Sequence, residues 1–273
     1  MSITLTTGEP IIDFRVINNK FVNIGSLKRL YVDNTKVPCN IISESDKYFY
    51  RATTSNQDPI FVIQIYPNNS HTYNTALDLP SDWYLGIIFR MPYTYTGYLN
   101  QWPEFAPLCI KIYRSSSGDH NAYWLSSPID LVANNKNIIR PADYYYNSSG
   151  TPSRIFLEEN TSQVFYTDHA WHSAEISYKR SNNTLYYFMN GVLIKTYTPS
   201  YQVGSKLNYI YNQLYNIYMS FDIYNLVFVR NECLFTSTHN LPVDEYILNN
   251  SRKPNKYIYP IITNYDSKIY YQD

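Results

Sequence analysis

The sequence lacks several features that would point directly to a function. Basic and acidic residues number 22 each, so the formal charges cancel, and no long run of one sign occurs. This balance argues against an electrostatic surface for nucleic acid or for a membrane. The three cysteines lie far apart and form no CxxC pair, which argues against a disulfide framework and against a zinc site.

Long hydrophobic runs are also missing. No uninterrupted apolar run reaches the roughly 18 residues that a membrane-spanning helix needs, so we expect no membrane insertion. The opening stretch MSITLTTGEP has neither a basic region nor an apolar core, so we expect no secretory signal. These observations predict a chain made as a soluble protein in the cytoplasm, which either stays there or is built into a larger particle.

Tyrosine is the residue that the sequence has in excess, with 31 among 273 residues, whereas glycine numbers 8. Tyrosine suits half-buried strands and adhesive surfaces, because its rigid ring carries a polar tip at a low entropy cost. An A+T-rich genome, whose codons favour Tyr, Asn, Ile and Lys, would produce the same excess. Both explanations can hold together.

The clearest structural pattern lies between Trp171 and Thr198. Ala174, Ile176 and Tyr178 alternate with polar residues, which predicts a strand with one buried face and one solvated face. A polar turn at 180–183 follows. The alternation then resumes and leads to the dipeptide Asn190-Gly191, which is well suited to the positive φ angles of a type I′ turn. We therefore predict three antiparallel strands whose inward set is Ala174, Ile176, Tyr178, Leu185, Tyr187 and Met189.

Short strands at fairly regular spacing, separated by Gly, Pro and Asn, predict an all-β sandwich. Strong strand candidates are Ile60–Tyr66, Trp83–Met91, Leu108–Tyr113 and Met219–Val229, while Leu207–Tyr218 is ambiguous between strand and helix. We predict a long loop at 93–107 and irregular structure at 129–153. The expected organisation is an N-terminal extension or opening strands at 1–45, the sandwich at 46–248 and a C-terminal tail at 249–273.

The hairpins resemble the laminin G-like and concanavalin A-like jelly rolls. In those families a Trp-led strand precedes a strand that closes on an Asn-Gly turn, as Trp171-His172 and LYYFMNGVLI do in this chain. Trp83–Met91 resembles an early central strand of that fold, and Ile223–Asn240 resembles its last strand and the short segment that follows. The resemblance implies a two-sheet antiparallel jelly-roll sandwich with its rim or concave face available for binding.

Enzymes of the same fold provide a test for catalysis. Laminarinase-type glycosidases carry two catalytic carboxylates on one strand, whereas Glu158 and Glu159 are adjacent and would point to opposite faces. Alginate-lyase-like enzymes use Gln-Ile-His and Tyr-Phe-Lys motifs. This chain has Gln64-Ile65-Tyr66 and Tyr187-Phe188-Met189, which lack the His and the Lys. We therefore predict no catalytic residues and no enzymatic activity, with a polysaccharide lyase as the enzymatic alternative.

Metal ions and cofactors have little support in the sequence. Laminin G-like modules often carry calcium on loop carboxylates, and the resemblance makes Asp119, Asp143 and Asp168 conceivable ligands. None of them lies in a calcium-loop pattern. We predict no cofactor and no metal site.

Aromatic side chains are the best candidates for binding, because aromatic rings stack on sugars and anchor protein interfaces. The alternative is that about half of these rings pack on the edge of the sandwich. The candidate residues are Tyr93, Tyr95, Tyr98, Trp102 and Phe105, followed by Tyr144, Tyr145 and Tyr146.

Together these patterns predict a non-enzymatic structural or adhesion protein of a virion, such as a capsid decoration, fibre or tail component of a bacteriophage or other virus. Its expected partners are other virion proteins, further copies of itself, and a surface glycan, but not nucleic acid. A free-standing carbohydrate-binding module is the non-enzymatic alternative.

Overall fold

The computed structural model is built from β-strands that form two antiparallel sheets. It describes residues 9–17, 20–23, 25, 29–33, 39–44, 47–54, 59–64, 73, 76–90, 104–114, 119–130, 136–137, 140–146, 152–157, 171–215, 219–239 and 268–271. Within these residues no helix is long and apolar enough to cross a bilayer.

Strands follow one another along almost the whole of the described chain. The first ten are β1 (Glu9–Ile17), β2 (Lys20–Asn23), β3 (Arg29–Asp33), β4 (Cys39–Glu44), β5 (Lys47–Thr54), β6 (Pro59–Gln64), β7 (Leu77–Asp78), β8 (Trp83–Arg90), β9 (Glu104–Tyr113) and β10 (His120–Asp130). The next nine are β11 (Lys136–Asn137), β12 (Arg140–Tyr146), β13 (Pro152–Phe156), β14 (His172–Lys179), β15 (Thr184–Met189), β16 (Val192–Tyr197), β17 (Lys206–Tyr215), β18 (Met219–Arg230) and β19 (Lys268–Tyr271).

The two sheets face each other across one hydrophobic core. The nine-stranded sheet has the order β16-β15-β14-β8-β18-β1-β2, with β5 beside β18 and β4 beside β5. The ten-stranded sheet has the order β13-β12-β10-β9-β17-β6-β3-β19, with β11 beside β10 and β7 beside β17. Trp83, Tyr178 and Phe228 of the first sheet join Ile110 and Tyr123 of the second in the core. The predicted two-sheet antiparallel sandwich is confirmed.

The predicted hairpins are present as β14, β15 and β16. A 3₁₀ turn, Arg180–Asn182, connects the first two strands. Asn190 and Gly191 have φ angles of 51° and 75°, as a type I′ turn requires. A Cβ atom on Gly191 would lie 2.3 Å from the carbonyl oxygen of His239, so this turn also needs glycine for space. The predicted inward set is confirmed, since all six residues are buried in the core.

The predicted solvated face of β14 is wrong. Ser173, Glu175 and Ser177 point away from the core, yet all three are buried. They are covered by residues 231–239, which we call the strap. Within it Phe235 stacks on His239 with ring centroids 3.6 Å apart, and the Phe235 amide donates to Ser177 Oγ at 3.4 Å. A second hydrophobic cluster forms where the strap packs on the sheet, and it includes Tyr84, Phe188 and Phe235.

Three segments have more strand than their sequences predict. Residues 129–153, expected to be irregular, contain β11 and β12 and the start of β13. The expected loop at 93–107 ends earlier, because β9 begins at Glu104. The ambiguous segment after Leu207 is strand β17. In each case cross-strand pairing determines the structure, and pairing partners are not visible in a local sequence pattern.

Candidate functional site

The predicted binding residues are distributed over three places. Tyr93, Tyr95, Tyr98 and Trp102 lie outside the described residues. Phe105 lies on β9, opposite Ser127 and Leu214. Tyr144, Tyr145 and Tyr146 lie on β12, two strands away.

The structure does not bring Phe105 together with the three tyrosines of β12. Ala122 on β10 pairs with both Lys111 and Tyr144, so Tyr144 belongs to the row of the sheet that contains Lys111. Phe105 is six residues, or about 20 Å, away along β9. A single ligand-contacting patch therefore does not include both groups.

Register places two of the three tyrosines on the outer face of the ten-stranded sheet. Ile110 and Ile112 of β9 enter the core, so Lys111 and Tyr113 are on the opposite, outer face. Tyr144 shares a row with Lys111, and Tyr146 shares a row with Tyr113 through His120. Tyr145 occupies the register position between them, opposite Asn121.

The outer face of the ten-stranded sheet has a surface that we call the tyrosine–lysine face, formed by Tyr73, Lys111, Tyr113, Lys206 and Tyr209. Tyr73 and Tyr113 meet edge to face with ring centroids 5.9 Å apart. The ammonium of Lys206 lies 5.7 Å from the centre of the Tyr73 ring. Lys111 Nζ donates to the Tyr209 hydroxyl at 2.7 Å and lies 4.8 Å from the centre of that ring. Cation–π contacts thus hold both lysines on tyrosine rings.

Lys111 is a cation of this face whose pKa is lowered by its surroundings. Its side chain is partly buried between strands β10 and β17, and burial lowers the pKa of its ammonium from 10.5 to about 8, partly offset by Cys109. Local sequence does not reveal this environment, because Lys111 and Tyr209 are 98 residues apart.

A second aromatic cluster lies on the outer face of the nine-stranded sheet. The Arg90 guanidinium is 4.8 Å from the ring centres of both Phe49 and Trp171. Arg90 and Arg51 both donate to the carboxylate of Asp222, which is fully buried, at distances of 2.6–3.0 Å. This geometry holds β5, β8 and β18 together, and we assign the cluster to the stability of the fold.

A polar cluster inside the sandwich is centred on Asp143, one of the conceivable calcium ligands. Asn121 Nδ2 donates to its Oδ1 at 2.7 Å, and the Tyr197 hydroxyl donates to its Oδ2 at 3.0 Å. The Tyr201 hydroxyl also donates to Oδ2 and lies 3.3 Å from the hydroxyl of Tyr123. Neutral donors on both sheets therefore satisfy this buried carboxylate.

The tyrosines around Asp143 are held in their neutral form. Burial, followed by the negative charge of Asp143, raises the pKa of the Tyr197 and Tyr187 hydroxyls well above 10. The pKa of Tyr201 is raised in the same direction by burial, by Tyr123 and by Asp143. A tyrosine that acts as a general base must ionise near the working pH, so these hydroxyls are unsuited to that role.

The last residue of the strap, His239, forms a buried pair with Glu175 of β14. His239 Nε2 is 2.8 Å from Glu175 Oε2, Ser173 Oγ donates to Oε1 at 2.8 Å, and the Tyr84 hydroxyl donates to Oε2 at 3.3 Å. The carboxylate is at the centre and binds both the serine and the histidine. In a nucleophilic triad the serine hydroxyl donates a hydrogen bond to the histidine, whereas here Ser173 and His239 both bond to Glu175. Ser173 is therefore not activated as a nucleophile, and the contacts attach the strap to β14.

The conceivable calcium ligands do not converge. Asp143 pairs with Tyr123, which is four residues, or about 13 Å, along β10 from Asp119. Asp168 lies outside the described residues. Over the described part of the chain, no group of three His, Cys, Asp or Glu side chains could hold a metal ion.

The lyase-like motifs lie on different sheets. Gln64 is on β6 of the ten-stranded sheet, where it pairs with Tyr209. Tyr187 is on β15 of the nine-stranded sheet, and its buried hydroxyl has no hydrogen-bond partner among the described residues. Glu158 and Glu159 lie outside the described residues.

Comparison with known proteins identifies the fold. No protein-family model and no curated protein matches this chain. Among solved structures, the binding domain of botulinum neurotoxin DC in complex with rat synaptotagmin II is similar, with a TM-score of 0.52, 12% identity, and coverage of 83% of this chain and 49% of that chain. The botulinum neurotoxin serotype D/C binding domain has a TM-score of 0.52 and 11% identity, and the match covers 90% of this chain and 53% of that chain.

A third similar structure concerns botulinum neurotoxin type C, whose cell entry is described as dependent on interaction with two ganglioside molecules. Its TM-score is 0.51 at 11% identity, and 83% of this chain matches 49% of that chain. The likeness shows the fold alone. This chain spans about half the length of each of these structures.

Proposed function

We propose that this chain is a non-enzymatic adhesion module that binds a glycan on its tyrosine–lysine face. The observation that carries the proposal is the pair of lysines held on tyrosine rings at the outer face of the ten-stranded sheet. Tyrosine rings stack on the C–H faces of sugars, while hydroxyl and ammonium groups form hydrogen bonds with sugar oxygens. This face therefore combines both kinds of contact that a saccharide needs.

The scaffold supports this function because every residue of the face except Tyr73 lies on a strand. Lys111 and Tyr209 belong to β9 and β17, which pair with each other in the middle of the sheet, and the buried Tyr113 contacts the Tyr73 ring. Residues on a rigid element are held closer to one geometry than residues on a loop, so less entropy is lost on binding. The register positions of Tyr144 and Tyr146 extend the face towards β12.

The similar structures agree with a recognition role. One of them is a complex with the protein synaptotagmin II, and another concerns gangliosides, which are glycan-bearing lipids. A protein partner is therefore the second candidate for this chain. The residues Tyr93, Tyr95, Tyr98 and Trp102 remain proposed contacts in addition to the tyrosine–lysine face.

The non-enzymatic part of the proposal rests on the polar clusters. The tyrosines near Asp143 have raised pKa values, and Glu175 is fully buried beneath the strap. The lyase alternative predicts release of unsaturated uronates that absorb in the ultraviolet. We expect no such product from a panel of acidic polysaccharides, and its appearance would remove this part of the proposal.

A glycan array tests the proposed site. We expect binding by the unmodified chain and at least a tenfold loss in affinity for Tyr73→Ala combined with Tyr209→Ala, because the double variant removes both rings on which the sugar would stack. Tyr48→Ala is the matched control, since Tyr48 is 48% exposed and lies on β5 of the other sheet. Thermal unfolding of each variant separates a lost contact from a lost fold.

Two results contradict the glycan site. Equal binding by the unmodified chain and the double variant would move the site elsewhere, and Trp102→Ala would then be the next variant to measure. Binding to no glycan, together with capture of a protein ligand, would favour the protein-partner candidate.

We also propose that the module is part of a virion, as a capsid decoration, fibre or tail component. The proposal is supported by the excess of tyrosine over glycine, 31 against 8, which is typical of an A+T-rich genome. Mass spectrometry of purified particles from the native source tests it. Recovery of the chain only in particle-free fractions would contradict it without affecting the glycan proposal.

A further inference from the structure

The tyrosine–lysine face has two ammonium groups on neighbouring rows. Lys206 pairs with Tyr113, and Tyr113 is two residues from Lys111 on β9. The two lysines are therefore diagonal neighbours, with Cα atoms about 7–8 Å apart, on the same face of the sheet. The two side chains leave the sheet on one face within this spacing, and once Lys206 exchanges Asp78 for a ligand, one anionic group can contact both ammonium groups.

Lys111 is placed so that it interacts strongly with an anion. Its side chain is partly buried, and the neighbouring strands reduce the contact of its ammonium with water. Coulomb attraction increases as the effective dielectric constant falls, so a negative group bound at this position is held more strongly than it would be by a fully exposed lysine. The Tyr209 hydroxyl, 2.7 Å from Nζ, fixes the position of the ammonium.

Lys206 has a partner that a ligand can replace. Its Nζ is 2.7 Å from Asp78 Oδ1, and the Asp78 side chain is 69% exposed. The Lys206 side chain is only 19% exposed, so its ammonium needs an anionic partner in either state. A ligand anion can exchange with the Asp78 carboxylate because Asp78, being largely exposed, regains its hydration when it is released.

We propose that the saccharide bound on the tyrosine–lysine face is acidic, with a carboxylate or sulfate group located between Lys111 and Lys206. This inference rests on the proposed glycan-binding function and specifies its ligand class. Lysine ammonium groups are compact point charges that accept either kind of anion, whereas a planar arginine fork would select for bidentate geometry. In this arrangement the aromatic rings contact the sugar ring, and the two ammonium groups contact its carboxylate or sulfate.

The charge of Lys111 gives the interaction a defined pH dependence. With a pKa of about 8, the ammonium is protonated below that pH and loses its charge above it. Binding of an acidic saccharide should therefore be strongest below about pH 7 and weaken as the pH rises through 8. Neutral saccharides should show little change over the same range.

Calorimetric titration with three matched oligosaccharides tests the inference. The neutral, carboxylated and sulfated forms of one backbone are compared at about pH 6.5 and about pH 9.5. We expect the two acidic forms to bind at least tenfold more tightly than the neutral form at the lower pH, and to lose most of that advantage at the higher pH or in about 0.5 M salt.

Substitutions identify the groups responsible. Lys111→Met and Lys206→Met should each reduce affinity for the acidic forms about tenfold and affinity for the neutral form by a clearly smaller factor, because the neutral form loses a hydrogen bond but no charge pair. Lys111→Arg should retain binding at about pH 9.5, because arginine stays charged there. Lys179→Met, on β14 of the other sheet, is the matched control and should change nothing.

The outcomes separate this inference from the function on which it rests. Equal binding of neutral and acidic forms, unaffected by the lysine substitutions, would overturn the inference and leave the glycan-binding function standing. Binding of none of the three forms would overturn both. If Lys111→Met fails to fold, Lys206→Met and the pH comparison still decide the question.

Discussion

At the scale of single residues, burial of charge is the feature that most constrains this sandwich. Asp222 and Glu175 are both fully buried on the outer side of the nine-stranded sheet. Each is satisfied by groups that approach from other segments of the chain, two arginines for Asp222 and His239 for Glu175. Removing one partner of such a group costs more than the interaction contributes, because the other partner stays buried without compensation.

Asp222→Ala should destabilise the protein by about 3–5 kcal/mol, because the substitution leaves the guanidinium groups of Arg51 and Arg90 without this buried carboxylate. Their side chains are 15% and 13% exposed, so water cannot fully replace it. Equilibrium unfolding in urea measures the effect. Asp78→Ala, which removes a carboxylate that is 69% exposed from its pair with Lys206, should cost about 1 kcal/mol. Similar losses for the two variants would show that the Asp222 cluster is not structural.

At the scale of elements, the strap converts a two-faced strand into one buried on both faces. Its hydrogen bonds join it to β14, to the turn between β15 and β16, and to β16 itself. The His239 amide donates to the Gly191 carbonyl at 2.9 Å, and Thr238 Oγ1 accepts from the Leu193 amide at 3.1 Å. Phe235 supplies the apolar contact, with its ring edge to face against Tyr84 at 5.7 Å. The strap is therefore an integral part of the sandwich.

His239→Ala should loosen the strap and destabilise the protein by about 1–3 kcal/mol, since Glu175 loses one of its hydrogen-bond partners in a buried position. Hydrogen exchange should increase selectively over residues 231–239. Thr238→Ala also removes a strap contact, but an exposed one, and should have a smaller effect. Unchanged exchange in His239→Ala would indicate that Phe235 and the hydrogen bonds to Gly191 and Leu193 attach the strap without the His239–Glu175 pair.

Sequence patterns predicted the strands but not the layers that cover them. Alternation identified β14 and β15 and their inward residues, because polarity with a period of two reports which side chains enter the core. The same pattern misassigned Ser173, Glu175 and Ser177, because polar residues also occupy buried positions when a distant segment supplies partners. The strap residue His239 is 64 positions from Glu175.

The candidate site shows the same limit. Tyr144 and Tyr146 stood out in the sequence as part of a tyrosine run, although the surrounding Asn, Pro and Gly suggested an irregular segment. Their position in the rows of Lys111 and Tyr113 depends on the pairing of β12 with β10 and of β10 with β9. Such non-local register is fixed by the whole sheet, so Lys111 and Tyr209 could not be identified as site residues from the sequence.

At the scale of the whole molecule, the two sheets are joined by a polar cluster as well as by apolar contacts. Asp143 and Tyr123 belong to the ten-stranded sheet, while Tyr187 and Tyr197 belong to the nine-stranded sheet. The tyrosine hydroxyls must stay protonated inside the sandwich, because ionisation would place a second negative charge beside Asp143. This requirement links the stability of the sandwich to alkaline pH.

The protein should lose stability steeply above about pH 10. Tyr123, Tyr187, Tyr197 and Tyr201 all have pKa values raised above 10 by burial and by Asp143. Above that pH the unfolded chain releases protons that the folded chain retains, so unfolding becomes more favourable as the pH rises. Each such tyrosine contributes a slope of about 1.4 kcal/mol per pH unit. Urea unfolding at several alkaline pH values measures the total slope.

Tyr197→Phe tests the origin of that slope, because it removes one ionisable hydroxyl and keeps the ring. The variant should lose some stability near pH 7, since Asp143 Oδ2 loses a donor at 3.0 Å. Its alkaline slope should nevertheless be shallower by about 1.4 kcal/mol per pH unit. Tyrosinate absorbance should show these hydroxyls ionising together with unfolding. A slope identical to that of the unmodified chain, or ionisation of all tyrosines before unfolding, would mean that the Asp143 cluster is open to solvent and does not join the two sheets.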